Sequence, residues 1–192
     1  MSDFEVFSLD TETSGLDPEL HQLLSIGMVH YGSGAELHYN IRHTEIVAQA
    51  EAMRVNGIDV GRLDSSDREP LKGVDESLTN FVRGCLPFKG TKAVAMGLNV
   101  GSFDMRFIDR YLPRLGHLLG YQCIDLNALF FSKVLEGQVS SFSTLKSGLG
   151  AKAEEWAKSK NPGLTKHHAL FDCYMNCYML ASFTGAPKWM EE

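Results

Sequence analysis

The sequence lacks any long apolar run, is poor in cysteine and carries no excess of positive charge. Among its 192 residues no hydrophobic segment approaches the roughly 18 residues of a bilayer-crossing helix. Nothing near the start resembles a signal peptide, so a cytoplasmic protein with no membrane association is expected. The four cysteines, Cys85, Cys123, Cys173 and Cys177, form no C-x-x-C element, which argues against a zinc ribbon or a dithiol redox motif. Cys173 and Cys177, four apart on an expected helix, read as small buried positions rather than a metal edge. With 18 basic against 24 acidic residues and a net charge of -6, no broad basic face offers a long footprint to duplex DNA. A compact site in which carboxylates are neutralised by divalent ions could still take a phosphate chain end. Low-complexity tracts, internal repeats and linkers are also missing, and 44% of the residues are hydrophobic. A single domain over 1–192 with a sizeable core is expected.

What is present alternates between strand and helix signals. Residues 4–11, 23–31 and 36–41 read as three strands of an antiparallel meander, the last two joined through Gly32-Ser33-Gly34. Helices are expected over 45–55, closed by Asn56-Gly57, and over 75–85, with the polar stretch 61–73 as loop. A strand over 93–98 leads to a helix over 103–115. A strand over 121–124 follows, and Asp125 caps a helix over 126–134. Residues 142–149, 153–158 and 169–183 read as three further helices, with breaks at Gly148 to Gly150 and at Asn161-Pro162-Gly163. The pattern is α/β, a five-stranded mixed sheet with helices on both faces.

The first strand runs into two carboxylates and a turn, EVFSLDTETSGLD over residues 5–17. Strand alternation puts Asp10 and Glu12 on one face about 7 Å apart. Two like charges at the end of a buried strand stay ionised only with a cation between them, and a thiolate-free, carboxylate-rich pair suits a hard one, Mg2+ or Mn2+. By itself Asp-x-Glu also describes an ordinary solvated strand end. A second candidate, Asp104, sits just past the fourth strand in GLNVGSFD, where open α/β sheets place ligands and where a helix-start Asp is also at home. The third lies in HHALFD, residues 167–172, with Asp172 on the apolar side of the last helix, where an unpaired carboxylate is costly. On an ideal helix His167 and Asp172 would diverge by about 140 degrees, so one lies outside it. Pro162-Gly163 upstream makes His167 the loop residue and a candidate acid-base group.

Three ordered segments, LDTETSGL at 9–16, NVGSFD at 99–104 and HHALFD at 167–172, together resemble the DEDDh exonuclease family, which includes polymerase proofreading exonucleases, ribonuclease T and oligoribonuclease. The resemblance spans nearly the whole chain and keeps H-x-A-x-x-D intact. It implies a ribonuclease H-like fold and a 3'-to-5' exonuclease that releases nucleoside 5'-monophosphates. It further implies that Asp10, Glu12, Asp104 and Asp172 hold two divalent metal ions, Mg2+ or Mn2+, and that His167 takes the proton of the attacking water. By the same similarity Thr13, Gly15 and Leu16 line the terminal-nucleotide pocket, with Asn56 and Phe103 as further contacts. Asp125 as a fifth ligand is set aside for its cap role. The four residues between Asn99 and Asp104 are similar to the oligoribonuclease branch, while Thr11 and Thr13 around Glu12 look like the proofreading branch. Single-stranded DNA and RNA 3' ends both remain candidate partners, and the oligomeric state, monomer or homodimer, stays open. The competing reading is a catalytically silent nucleic-acid-binding adaptor of the same fold.

Overall fold

The computed structural model describes residues 3–191. Five strands, β1 (Phe4–Thr13), β2 (Leu23–His30), β3 (Glu36–Asn40), β4 (Lys92–Gly97) and β5 (Cys123–Asp125), form one sheet in the order β3-β2-β1-β4-β5. The first three pair antiparallel as the expected meander, and β4 and β5 add in parallel because helices carry the chain back between them. Along β1 the odd side chains Phe7 and Leu9 enter one core, with α2 (Leu71–Cys85), α3 (Asp104–Tyr111) and α4 (Pro113–Leu119). The other face packs against α5 (Leu126–Leu135), α6 (Phe142–Lys160) and α7 (Ala169–Thr184), through Met96, Phe130, Phe171, Cys173 and Cys177. Helices on both faces of a mixed five-stranded sheet are therefore observed. Both α7 cysteines lie in the core as free thiols.

The largest departures from the expected boundaries are in the helices. The helix expected from residue 45 begins at Ala50 and runs to Asn56 as α1, because residues 47–49 are tied to the β1–β2 loop: the Val47 N–H donates to Gln22 Oε1, and the Gln49 N–H to Ser14 O. Its left-handed cap at Gly57 is as expected, with φ 65°. Helix α2 starts at Leu71, where Pro70 O accepts from the Gly73 and Val74 N–H groups, so the last part of the expected loop is helical. The helix expected over 103–115 is two, broken at Leu112 (φ -130°, ψ 61°), because Pro113 offers no N–H and opens α4 instead. Conversely, the two helices expected over 142–158 are one. Glycine costs a helix about 1 kcal/mol relative to alanine, and packing of Ala153 and Ala157 in the core outweighs it at Gly148 and Gly150. Among the described residues no helix is long and apolar enough to cross a membrane.

Candidate active site

The parity of β1 decides which side chains meet. Ser8 Oγ donates to Cys173 O at 2.9 Å, so the even-numbered face of the strand looks onto α7, and Asp10 and Glu12 follow Ser8 on that face. Opposite Asp10 in the ladder stands Gly27. A Cβ there would lie 2.5 Å from Ala169 C and Leu170 N, so only glycine lets the first turn of α7 settle onto β2. That turn carries Asp172 to the two β1 carboxylates. Asp104 opens α3 just beyond the carboxyl end of β4 and is 4% exposed; Thr11 Oγ1 donates to its Oδ1 at 2.6 Å.

His167 lies outside α7, in the left-handed region at φ 65°. Its backbone N–H donates to Asp172 Oδ2 at 3.0 Å, which holds the exposed imidazole beside the carboxylates. Ligand atoms of Glu12, His167 and Asp172 all lie within 4.8 Å of one another. The next residue is anchored separately: the His168 ring sits 4.3 Å from that of His38, whose Nε2 meets Ser25 Oγ at 2.9 Å. Burial pushes His38 down to about 4 and lowers His168 as well, so the two tilted rings pack as neutral groups near neutral pH.

The carboxylates destabilise one another's charge. Burial, then Asp104, Asp172 and Glu12, raise Asp10 well above the usual range. Burial, with Asp172 and Asp104, pushes Glu12 up to about 8. Burial also pushes Asp104 up to about 7, against the Thr11 hydroxyl, and raises Asp172 against the His167 N–H. Such a set suits bound divalent cations, which restore the ionised forms. The donors of the set are carboxylate oxygens, with the His167 imidazole beside them. Burial raises Cys173 and pushes Cys177 up to about 12, so neither supplies a thiolate near neutral pH. Oxygen-rich, thiolate-free donors fit a hard ion such as Mg2+ or Mn2+.

The residues expected at the terminal nucleotide fall into two groups. Thr13, Gly15 and Leu16 follow Glu12 directly: Thr13 Oγ1 donates to Gly15 O at 2.7 Å, and Leu16 is 66% exposed. A Cβ on Gly15 would come within 2.3 Å of the His21 ring, which accounts for glycine there. Asn56 is occupied locally, its Nδ2 donating to Thr13 O at 3.1 Å and its Oδ1 accepting from the Ile58 N–H. Phe103 packs toward the core, its ring 5.3 Å from that of Phe107. Asp125 is a cap, accepting from the Asn127 N–H at 2.9 Å and the Asn99 N–H at 3.2 Å.

Sequence reasoning missed a polar chain beside this site. Asn127 Nδ2 donates to Asn99 Oδ1, and Lys146 Nζ donates to Asn127 Oδ1 at 3.0 Å. A cavity of about 680 Å³ runs from Asp10, Asp172 and His167 to Phe142 and Lys146. The only local signal was Asn99, a residue type that tolerates the left-handed φ of 59° found there.

No family model matches the chain. An oligoribonuclease of Paracidovorax citrulli is 28% identical over 143 residues, covering 67% of this chain and 69% of that protein. E. coli exonuclease I in complex with a dT13 oligonucleotide superposes with a TM-score of 0.69 at 15% identity, over 95% of this chain and 41% of that one. A product-bound structure of exonuclease I gives 0.66 at 14% identity, over 98% of this chain and 45% of that one. The chain thus spans less than half the length of these exonuclease I chains. These structures share its ribonuclease H-like fold. The chain is thus similar in sequence to an oligoribonuclease and in fold to exonuclease I, in keeping with the resemblance of its ordered motifs to the DEDDh exonucleases.

Proposed function

We propose that the chain acts as one unit, a metal-dependent 3'-to-5' exonuclease on single-stranded DNA or RNA ends or short oligonucleotides. The observation that carries this reading is the convergence of Asp10, Glu12, Asp104 and Asp172 with His167 at the carboxyl ends of β1 and β4. Support also comes from the oligoribonuclease similarity and from the single-stranded DNA in the exonuclease I complexes. In this reading the four carboxylates hold two divalent ions, which lower the pKa of water and stabilise the leaving 3' oxygen when bound. His167, exposed and outside the helix, accepts the proton of the attacking water at an imidazole nitrogen. Its N–H bond to Asp172 and the packed His168 ring limit where that imidazole can go. Thr13, Gly15 and Leu16 border the terminal nucleotide, the exposed Leu16 offering an apolar surface to a base. Asn56 supports that wall through Thr13 O, and Phe103, packed beside Phe107, is the further contact in the same reading. Water adds to phosphorus, the bond to the 3' oxygen breaks, and a nucleoside 5'-monophosphate leaves a strand with a new 3' hydroxyl.

The test is digestion of a 3'-labelled single strand with Mg2+ or Mn2+, beside a closed circular strand. Loss of label from the linear strand with the circle intact is expected. Cutting of the circle would instead show an endonuclease, and no loss from either strand at any pH would favour the silent adaptor. Replacing His167 with Ala should lower turnover by roughly 10²–10⁴, the usual worth of a general base, while metal affinity persists. His168→Ala should cost far less, and equal losses in the two variants would remove His167 from the proton-accepting role.

A further inference from the structure

One side of α6 lines the cavity beside Asp10 and His167, and the opposite side borders a second hollow. This groove, about 510 Å³, lies between α6 and residues 138–141 of the loop that enters it. Along α6 its wall runs through Leu145, Gly148 and Lys152 at spacings of three and four. From Ser141 to Lys152 that is roughly 16 Å of helix at 1.5 Å per residue, the length of a peptide segment rather than of one small ligand.

The composition of the walls narrows the occupant. Val139, Leu145 and Leu149 supply aliphatic surface, and among the described residues no aromatic ring lines the groove for a base to stack on. At Gly148 a Cβ would meet nothing within 4 Å. Glycine costs a helix about 1 kcal/mol relative to alanine, so packing within the chain gives no reason for it there. A bare backbone does admit close approach by another element. The loop leaves α5, whose apolar residues point to all sides, and Leu135 at its end is 87% exposed. A helix of that composition is ordinarily covered.

The charges point to an anionic partner. Among the described residues Lys152 is the one charged side chain on the groove walls. Residues 126–152 carry Lys133, Lys146 and Lys152 against a single acid, Glu136, although the whole chain has a net charge of -6. Glu136 accepts from Gln138 Nε2 at 2.7 Å and lies 3.7 Å from Lys133.

We propose that the outer groove of α6 is a docking site for an acidic amphipathic helix of a partner protein. Its apolar side chains lie against Val139, Leu145 and Leu149, its backbone approaches α6 at Gly148, and its carboxylates face Lys152. The groove faces away from the carboxylate centre, so this inference stands apart from the exonuclease reading.

The test uses a synthetic helical peptide with leucines at i, i+4 and i+7 and glutamates elsewhere, beside a twin carrying lysines for the glutamates. Each is titrated into the isotope-labelled protein in chelator, and backbone amide shifts are followed. The acidic peptide should give saturable shifts centred on residues 138–152, and the lysine twin none. Gly148→Gln, a better helix former, should weaken binding by roughly tenfold by filling the contact. Lys152→Glu should weaken it roughly two- to fivefold, as for one exposed ion pair. Shifts centred elsewhere, equal binding of the two peptides, or unchanged affinity in Gly148→Gln would overturn the docking site. A dimer in sedimentation that Gly148→Gln dissolves, with no peptide binding, would overturn it in favour of a second copy of the chain. Groove shifts caused by a single-stranded oligonucleotide and not by the peptide would overturn it in favour of nucleic acid.

Discussion

Asp75 and the carboxylates around Asp10 have opposite surroundings in this molecule. Asp75, 6% exposed on α2, accepts the Arg114 N–H at 3.2 Å and the Leu115 N–H at 2.9 Å, joining two helices by satisfying donors in the first turn of α4. Asp10 meets burial and three further carboxylates. A protein that merely needed to bury an acid has, in Asp75, a solution that leaves both carboxyl oxygens hydrogen-bonded. Among the described residues no such donor pair reaches the side chains of Asp10 and Glu12, a cost to the fold that makes sense if the compensating charge comes from outside the chain.

Asp104→Asn should break this comparison most strongly. The amide keeps an oxygen for Thr11 Oγ1 but carries no charge, so exonuclease activity should fall roughly 10³-fold or more, with loss of metal affinity. The chelator-treated variant should melt above the chelator-treated parent, because one member of a repelling set is gone. Unchanged activity and metal affinity would return Asp104 to a helix-start role.

Glu12→Gln sharpens the comparison through pH. In the metal-free fold Glu12 is pushed up to about 8 from an ordinary value of 4.5, so the folded state keeps a proton that the unfolded chain releases. Its contribution is fully present below about pH 4.5 and is lost as pH rises to about 8. Melting temperatures of the chelator-treated parent should fall over that window more steeply than those of Glu12→Gln, and divalent ion should restore the parent. Parallel curves would show that Glu12 is not held protonated.

Asp75→Ala should act in the opposite sense and with the smallest effect. The buried Leu115 N–H and the half-buried Arg114 N–H lose their acceptor, at a cost of about 1–3 kcal/mol, with activity retained below the melting temperature. A thermal melt beside a turnover assay checks it. Loss of activity with an unchanged melting temperature would contradict the division of labour.

Two parts of the carboxylate centre were legible because they are local, strand alternation joining Asp10 to Glu12 and a helix-start argument separating His167 from Asp172, whereas Asp104 and Asp172 were joined to that pair only through the resemblance of the ordered motifs. The cap at Asp125 and the left-handed Gly57 were legible for the same reason, each depending on its immediate neighbours. The start of α1 was not, because Gln22 and Ser14, distant in sequence, hold residues 47–49 out of the helix. The unbroken α6 depends on core packing that outweighs glycine. Lys146 was invisible for a further reason. Its meaning comes from Asn127 and Asn99, 19 and 28 residues apart along successive links that only the folded sheet brings together.

The parity of β1 also constrains how this chain can vary in length. Phe7 and Leu9 fill one core while Ser8, Asp10 and Glu12 face the other helix layer. One residue inserted before Asp10 would exchange the two sets, sending phenylalanine and leucine toward the carboxylate face and the charges into the hydrophobic core. The Gly32–Gly34 turn faces no such alternation. Insertions and deletions should therefore accumulate at that hairpin tip, and the spacing from the start of β1 to Glu12 should be inherited as a fixed length.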